Sequence, residues 1–204
     1  MSKIRKVDMA DKNTTRGSIL EAVVTCIEKY GIDKITTRKI ADEAGTNIAS
    51  INYYFRSKDE LVAEALSMTI THMTEDIFGA IDDTEQPFEQ VLQDVIFYML
   101  DGSLRYPGIT TAHLYRAVTE KQYDSISARS IIKVFERLVK RAIHEYPQRD
   151  SGELRFHLSQ IFSSIMFTML APNFFSVGQG YKLVNPRSAK SMASSYTKLF
   201  LSAG

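Results

Sequence analysis

The chain has 204 residues, a formal net charge of +1 and one cysteine. That length suits one large domain or two small ones, and the near-neutral balance gives no bulk attraction to nucleic acid or to an anionic membrane. A lone cysteine, Cys26, cannot close an internal disulfide, which fits a reducing compartment, and the expected location is cytoplasmic. Lys3, Arg5 and Lys6 form a basic arm with no apolar run behind it, so no secretory signal is expected. The most apolar stretch, residues 161–175, is interrupted by Ser163, Ser164, Thr168, Pro172 and Asn173, and is too short and too polar to span a bilayer. Apolar residues recur at helical spacing almost throughout, so the expected fold class is all-α.

The first helix is expected from about residue 11 to Tyr30. Ile19, Leu20, Val23, Val24 and Ile27 recur on one face, and Gly31 ends it. Cys26 lies within it without a neighbouring base, and reads as a buried thiol. From Thr36 to Lys58 the pattern changes to two short helices joined by a tight turn. Thr36 or Thr37 can cap the first, and Ile40, Ala41 and Ala44 give it an apolar face. Gly45 ends it, because glycine enters the left-handed conformation at little cost. Asn47 can cap the second helix, in which Ile51 and Phe55 face inward and Ala49, Ser50, Asn52 and Tyr53 face outward. Lys34, Arg38, Lys39, Arg56 and Lys58 outnumber Asp42 and Glu43 here, which gives a local basic surface. This is the pattern of a helix-turn-helix that lays its second helix in the DNA major groove.

Ser57 and Glu60 form a capping box for the next helix, with Glu60 expected to reach back to the Ser57 N–H. Lys58 then falls in the first helical turn, where a cation opposes the helix dipole; a DNA phosphate accounts for it better than helix stability does. The helix is expected to reach about Ile81 and so to run from the DNA into the rest of the chain. Phe88, Val91, Leu92, Val95, Ile96, Met99 and Leu100 mark an amphipathic helix after Pro87, which Pro107 and Gly108 break. A shorter helix follows around His113 to Arg116, then one from about Ser125 to Tyr146, then a loop bracketed by Pro147 and Gly152. From Gly152 to Ala171 apolar residues spread around most of the circumference, so one side must find a second surface. After a loop with Pro172, Gly178, Gly180 and Pro186, a last helix carries Met192, Tyr196, Leu199 and Phe200.

The stretch from Thr36 to Leu61 resembles the DNA-binding signature of the TetR family of transcriptional repressors. The matching residues are Thr36, Ile40, Ala41, Ala44, Gly45, Ile51, Phe55, Ser57, Lys58 and Leu61. Thr46 stands where the family usually has valine and Asn52 where it usually has tyrosine, which bears on base preference and not on fold. The resemblance implies an N-terminal three-helix DNA-binding domain, residues 1–60, and a larger helical effector-binding and dimerisation domain, residues 61–204. It gives Lys58 a phosphate-facing role and places a base- or phosphate-contacting residue at Arg38 in some members. Thr36, Thr37, Arg38, Asn47, Ile48, Ala49, Ser50, Asn52, Tyr53 and Lys58 form the expected DNA-binding set. Within it, Arg38 can pair with guanine, Asn52 with adenine, and Ile48 or Ala49 can touch a thymine methyl, although Ile48 can instead pack beside Ile51.

The resemblance also implies a four-helix dimer interface from the last two helices of each subunit. Phe156, Phe162, Phe167, Met192, Tyr196 and Leu199 are its expected members. A small apolar or aromatic effector is implied in the C-terminal domain, with His72, Tyr98, Arg105, His113, Tyr115, Arg116, His157 and Asn173 as candidate polar anchors. The four histidines do not fall at zinc-ligand spacings, and no phosphate loop or nucleophile motif is present, so neither a metal, a cofactor nor an enzymatic activity is expected. The expected function is a dimeric, ligand-responsive repressor on a near-palindromic double-stranded operator. The alternative is an all-helical ligand carrier or enzyme that has lost DNA binding.

Overall fold

The computed structural model describes residues 14–178 and 184–202. The basic arm at Lys3, Arg5 and Lys6, and Gly180, lie outside them. The protein is all-α, and no strand occurs among the described residues. In order, α1 is Thr15–Tyr30, α2 Thr37–Glu43, α3 Ile48–Tyr54, α4 Lys58–Ile81, α5 Phe88–Arg105, α6 Pro107–Thr119, α7 Ile126–Glu145, α8 Ser151–Leu170 and α9 Pro186–Ser202. The chain packs as two compact units. Among the described residues, one is 14–73 with 108–130, and the other is 74–107 with 131–178 and 184–202.

The first unit contains α1 to α3, most of α4 and of α6, and the start of α7. α1 starts at Thr15, later than the sequence pattern suggested. Thr14 has an extended backbone, and its hydroxyl accepts the Gly17 N–H at 3.1 Å, so the cap sets the start there. Gly31 ends the helix with φ +80°, donating its N–H to the Ile27 carbonyl at 2.9 Å. Ile19, Val23 and Ile27 of α1 are fully buried in one apolar cluster with Ile40, Ile51, Phe55 and Leu61. Each such side chain contributes about 1.5–3 kcal/mol by leaving water, which is what holds two seven-residue helices that would not form alone. Cys26 is buried in the same cluster, its thiol 3.5 Å from the Lys39 carbonyl. Burial, with Glu43 adding to it, pushes the thiol up, which disfavours the thiolate.

In the second unit α5 lies against α8 and α9. The Phe88 ring meets Tyr146 at 6.0 Å and Phe200 at 5.3 Å. Arg141 of α7 donates to the carbonyls of Ile81 (2.6 Å), Asp83 (3.1 Å) and Gln86 (2.6 Å), and Glu145 accepts the Phe88 N–H at 2.7 Å. One turn of α7 thus satisfies the C-terminus of α4 and the N-terminus of α5. Asp150 caps α8 by accepting the Glu153 N–H at 2.9 Å, which places Gly152 inside the helix and not in the preceding loop. Pro107 likewise opens α6, where its missing N–H costs nothing.

α8 buries Leu154, Leu158, Ile161, Phe162 and Ile165. Its other side leaves Phe156 58% and Phe167 46% exposed, and Leu199 on α9 is 60% exposed. Phe162 departs from expectation. It is 4% exposed and packs its ring on Phe135 at 5.5 Å, so it belongs to its own chain's core and not to the uncovered side of α8.

Candidate DNA-binding site

The site is built by caps before it is built by contacts. Thr36, not Thr37, caps α2, its hydroxyl accepting the Lys39 N–H at 3.3 Å. Gly45 then takes φ +64°, and a Cβ there would meet nothing within 4 Å. Backbone conformation, not crowding, therefore calls for glycine. The Thr46 N–H turns back onto the Ala41 carbonyl at 3.0 Å and closes the turn. Asn47 starts α3 by accepting the Ser50 N–H on its side-chain oxygen at 2.8 Å. Ile40, Ala41, Ile51 and Phe55 fill the inner side of the two helices, which fixes by elimination what α3 shows outward.

That outer face carries Asn47, Ile48, Ala49, Asn52 and Tyr53, all exposed, with Tyr53 82% and Ile48 44% exposed. Ile48 therefore does not pack into the core beside Ile51. Ser50 and Thr37 are half-buried and Thr36 is exposed. Tyr54, passed over in the sequence, is also exposed and meets the Tyr53 ring edge-on at 5.0 Å. Its position at the last turn of α3 was visible, but nothing local showed that it would point outward.

The basic residues divide into two groups. Lys39 is held, its ammonium 2.8 Å from the Lys34 carbonyl and 4.4 Å from the centre of the Tyr30 ring. Lys29 pairs with Glu43 at 2.6 Å, which raises its affinity for the proton. Arg38, Arg56 and Lys58 are exposed and make no ion pair among the described residues. Ser57 caps α4 as expected, accepting the Glu60 N–H at 3.1 Å. The reciprocal bond differs: Glu60 accepts from the N–H of Arg56 at 3.2 Å, one residue before the serine. The effect is to tie the last residues of the helix-turn-helix to the first turn of α4.

The candidate effector anchors divide between the two units. His72, His113, Tyr115 and Arg116 belong to the first unit, and Tyr98, Arg105, His157 and Asn173 to the second. Several already have partners. Arg105 pairs with Asp101 at 2.8 Å and Arg116 lies 3.8 Å from Glu120. The Tyr98 hydroxyl donates to Asp76 at 2.9 Å, and burial first, then this carboxylate, raises its pKa. Asp33 raises the pKa of the Tyr115 hydroxyl. His113 is satisfied at both nitrogens: Nε2 lies 3.0 Å from the Thr69 hydroxyl and Nδ1 2.9 Å from the Ser127 hydroxyl. Thr69 donates its own hydrogen to the Leu66 carbonyl at 3.0 Å, so Nε2 is the donor and Nδ1 accepts from Ser127. Burial pushes this imidazole down to about 4. His157 Nδ1 and Asn173 Oδ1, by contrast, are buried without a hydrogen-bond partner among the described residues. Among those residues no cluster of histidine, cysteine and carboxylate groups suited to a metal occurs, and no helix is long and apolar enough to cross a membrane.

Residues 19–65, which span α1 to the start of α4, match the family model described as "Bacterial regulatory proteins, tetR family". The chain is 27% identical over 174 residues, 81% of its length and 82% of the other, to a Bacillus subtilis protein described as "Probable HTH-type transcriptional regulator YttP". Its fold is that of the fatty acid degradation regulator FadR from Bacillus halodurans, with a TM-score of 0.69 at 15% identity over 94% of this chain and 96% of that one. FadR from Bacillus subtilis, solved in complex with stearoyl-CoA, superposes with a TM-score of 0.62 at 18% identity over 92% of this chain and 98% of that one. At such identities the structural likeness is one of fold.

Proposed function

We propose that this chain, a member of the TetR family of transcriptional regulators, is a dimeric repressor released from its operator by a small molecule. The observation that carries the DNA-binding part is the outer face of α3. It shows Asn47, Asn52 and Tyr53 with the small apolar patch of Ile48 and Ala49, stands on a packed inner face, and is flanked by Arg38 and Lys58, both exposed and without an ion pair among the described residues. Arg38, Ile48, Ala49 and Asn52 are assigned to bases. Thr36, Thr37, Asn47, Ser50, Tyr53 and Lys58 are assigned to positioning on the backbone. On this reading residues 1–60 bind DNA and residues 61–204 bind the effector and the second subunit, a division of labour distinct from the packing of the two units.

The dimer is assigned to the outer side of α8 and to α9, through Phe156, Phe167, Met192, Tyr196 and Leu199. Uncovered aromatic and aliphatic side chains on two neighbouring helices favour a second copy in a two-fold, self-complementary contact. Each α3 then enters a major groove about one DNA turn, roughly 34–36 Å, from its mate. The effector is an apolar molecule. Because a protein of the same fold holds stearoyl-CoA, a long acyl thioester is the first compound to try. His157 and Asn173, with unsatisfied polar atoms, are the preferred anchors. The effector weakens DNA binding only by preferring the arrangement of reading helices that does not fit the operator.

A gel shift on the duplex upstream of the chain's own gene, repeated with a metabolite panel that includes stearoyl-CoA, tests this. The expected result is a shifted duplex that one member of the panel releases. A protein that binds the duplex no better than random DNA contradicts the repressor reading, and one that no compound releases contradicts the ligand response.

A further inference from the structure

The first backbone N–H groups of α6 need acceptors, as those of any helix do. Glu28, near the C-terminal end of α1, supplies both of the first two. Its Oε2 accepts the Gly108 N–H at 3.0 Å and its Oε1 the Ile109 N–H at 2.7 Å. A carboxylate shared by two N–H groups at a helix N-terminus is a charge-assisted contact with the helix dipole in its favour. The approach of the two backbones is unusually close. A Cβ on residue 108 would lie 2.8 Å from the Ile27 carbonyl oxygen and 2.9 Å from the Glu28 Cα, so only glycine fits. Beyond this tie, Ile109 and Ala112 are buried in the cluster that holds Ile27, Ile40 and Ile51.

We propose that Glu28 is a positioning residue for DNA binding: it locks α6 onto α1 and makes α6 part of the rigid body that carries α2 and α3. The proposal rests on the DNA-binding reading of α3 but goes beyond it, because Glu28 faces α6 and not DNA.

Glu28→Ala removes both acceptors. Glu28→Gln keeps the size, but its amide presents a donor to one of the two N–H groups and loses that bond. Gly108→Ala forces the same seam apart from the other side. Each variant is compared with wild type at a temperature where circular dichroism shows it folded, using the upstream duplex that wild type shifts. Glu28→Ala should raise the dissociation constant at least about tenfold and Glu28→Gln less, with an unchanged salt slope, since no phosphate contact is lost. Exchange of the Ile109 amide proton should quicken by about tenfold as well. A folded Glu28→Ala variant that binds the duplex as wild type does overturns the proposal. Ile109 exchange as slow as in wild type also overturns it. Should Glu28→Ala not fold, Glu28→Gln and Gly108→Ala decide by the same two readings. A wild-type protein that shifts no duplex refutes the DNA-binding reading instead, and the exchange measurement still decides whether the clamp exists.

Discussion

Lys58→Ala separates a role in the fold from a role on DNA. Lys58 is the first residue of α4, is exposed, and makes no ion pair among the described residues. The cap beneath it does not use its side chain: Ser57 accepts the Glu60 N–H, and the Leu61 N–H reaches the Ser57 carbonyl at 3.1 Å. A lysine in a first turn opposes the dipole by about 0.3–1 kcal/mol, so its removal should leave the melting temperature unchanged or slightly higher. If each lysine neutralises one phosphate, two subunits account for about 1.8 of the slope of log affinity against log salt. Between about 50 and 200 mM salt the wild type should then lose roughly twelvefold more affinity than the variant. Fluorescence anisotropy on one duplex at four salt concentrations measures this. The loss should be the same on operator and random DNA. An unchanged slope with a folded protein removes Lys58 from the interface.

Arg38→Ala should cost about 1–3 kcal/mol on the operator and much less on random DNA at one salt concentration, because the fork reads a base; equal losses would make Arg38 a backbone contact. Phe167→Glu should leave each subunit folded, since Phe167 is 46% exposed, but should give monomers in sedimentation at micromolar concentration and abolish operator binding. A variant that still sediments as a dimer would take the outer side of α8 out of the interface. His113 makes stability depend on pH. Its folded value is depressed to about 4 from 6.5, so its contribution is complete above about pH 6.5 and is lost as pH falls through about 4, up to about 3 kcal/mol. His113→Gln should flatten the denaturant midpoint over that window; an equally steep wild-type and variant profile would assign the slope to other groups.

The helix-turn-helix was legible because its signals are local. Thr36, Gly45 and Asn47 act on backbone groups within three or four residues, and Ile51 and Phe55 declare the inner face by spacing alone. The long helices were legible for the same reason, to within a few residues at their ends. What escaped depends on contacts distant in sequence. Glu28 reaches Gly108 across 80 residues, and Arg141 reaches Ile81 across 60. Neither partner carries a pattern that names the other. Phe162 escaped because a helix apolar on most faces does not show which of its phenylalanines turn inward; Phe135 decides that. Among the effector candidates, spacing could not show that both His113 nitrogens were already engaged. The exposed state of Arg38, by contrast, followed from the face left over opposite Ile40, Ala41 and Ala44, and that of Lys58 from its place in the first turn of α4.

Two copies of α3, held by one dimer, should read a two-fold site. Titrating a labelled duplex from upstream of the gene, at one salt concentration and with random duplex alongside, yields affinity and stoichiometry from the same curve. Saturation at two chains per near-palindromic site, with affinity at least about a thousandfold above random DNA, is the predicted result. Equal affinity for both duplexes would contradict it.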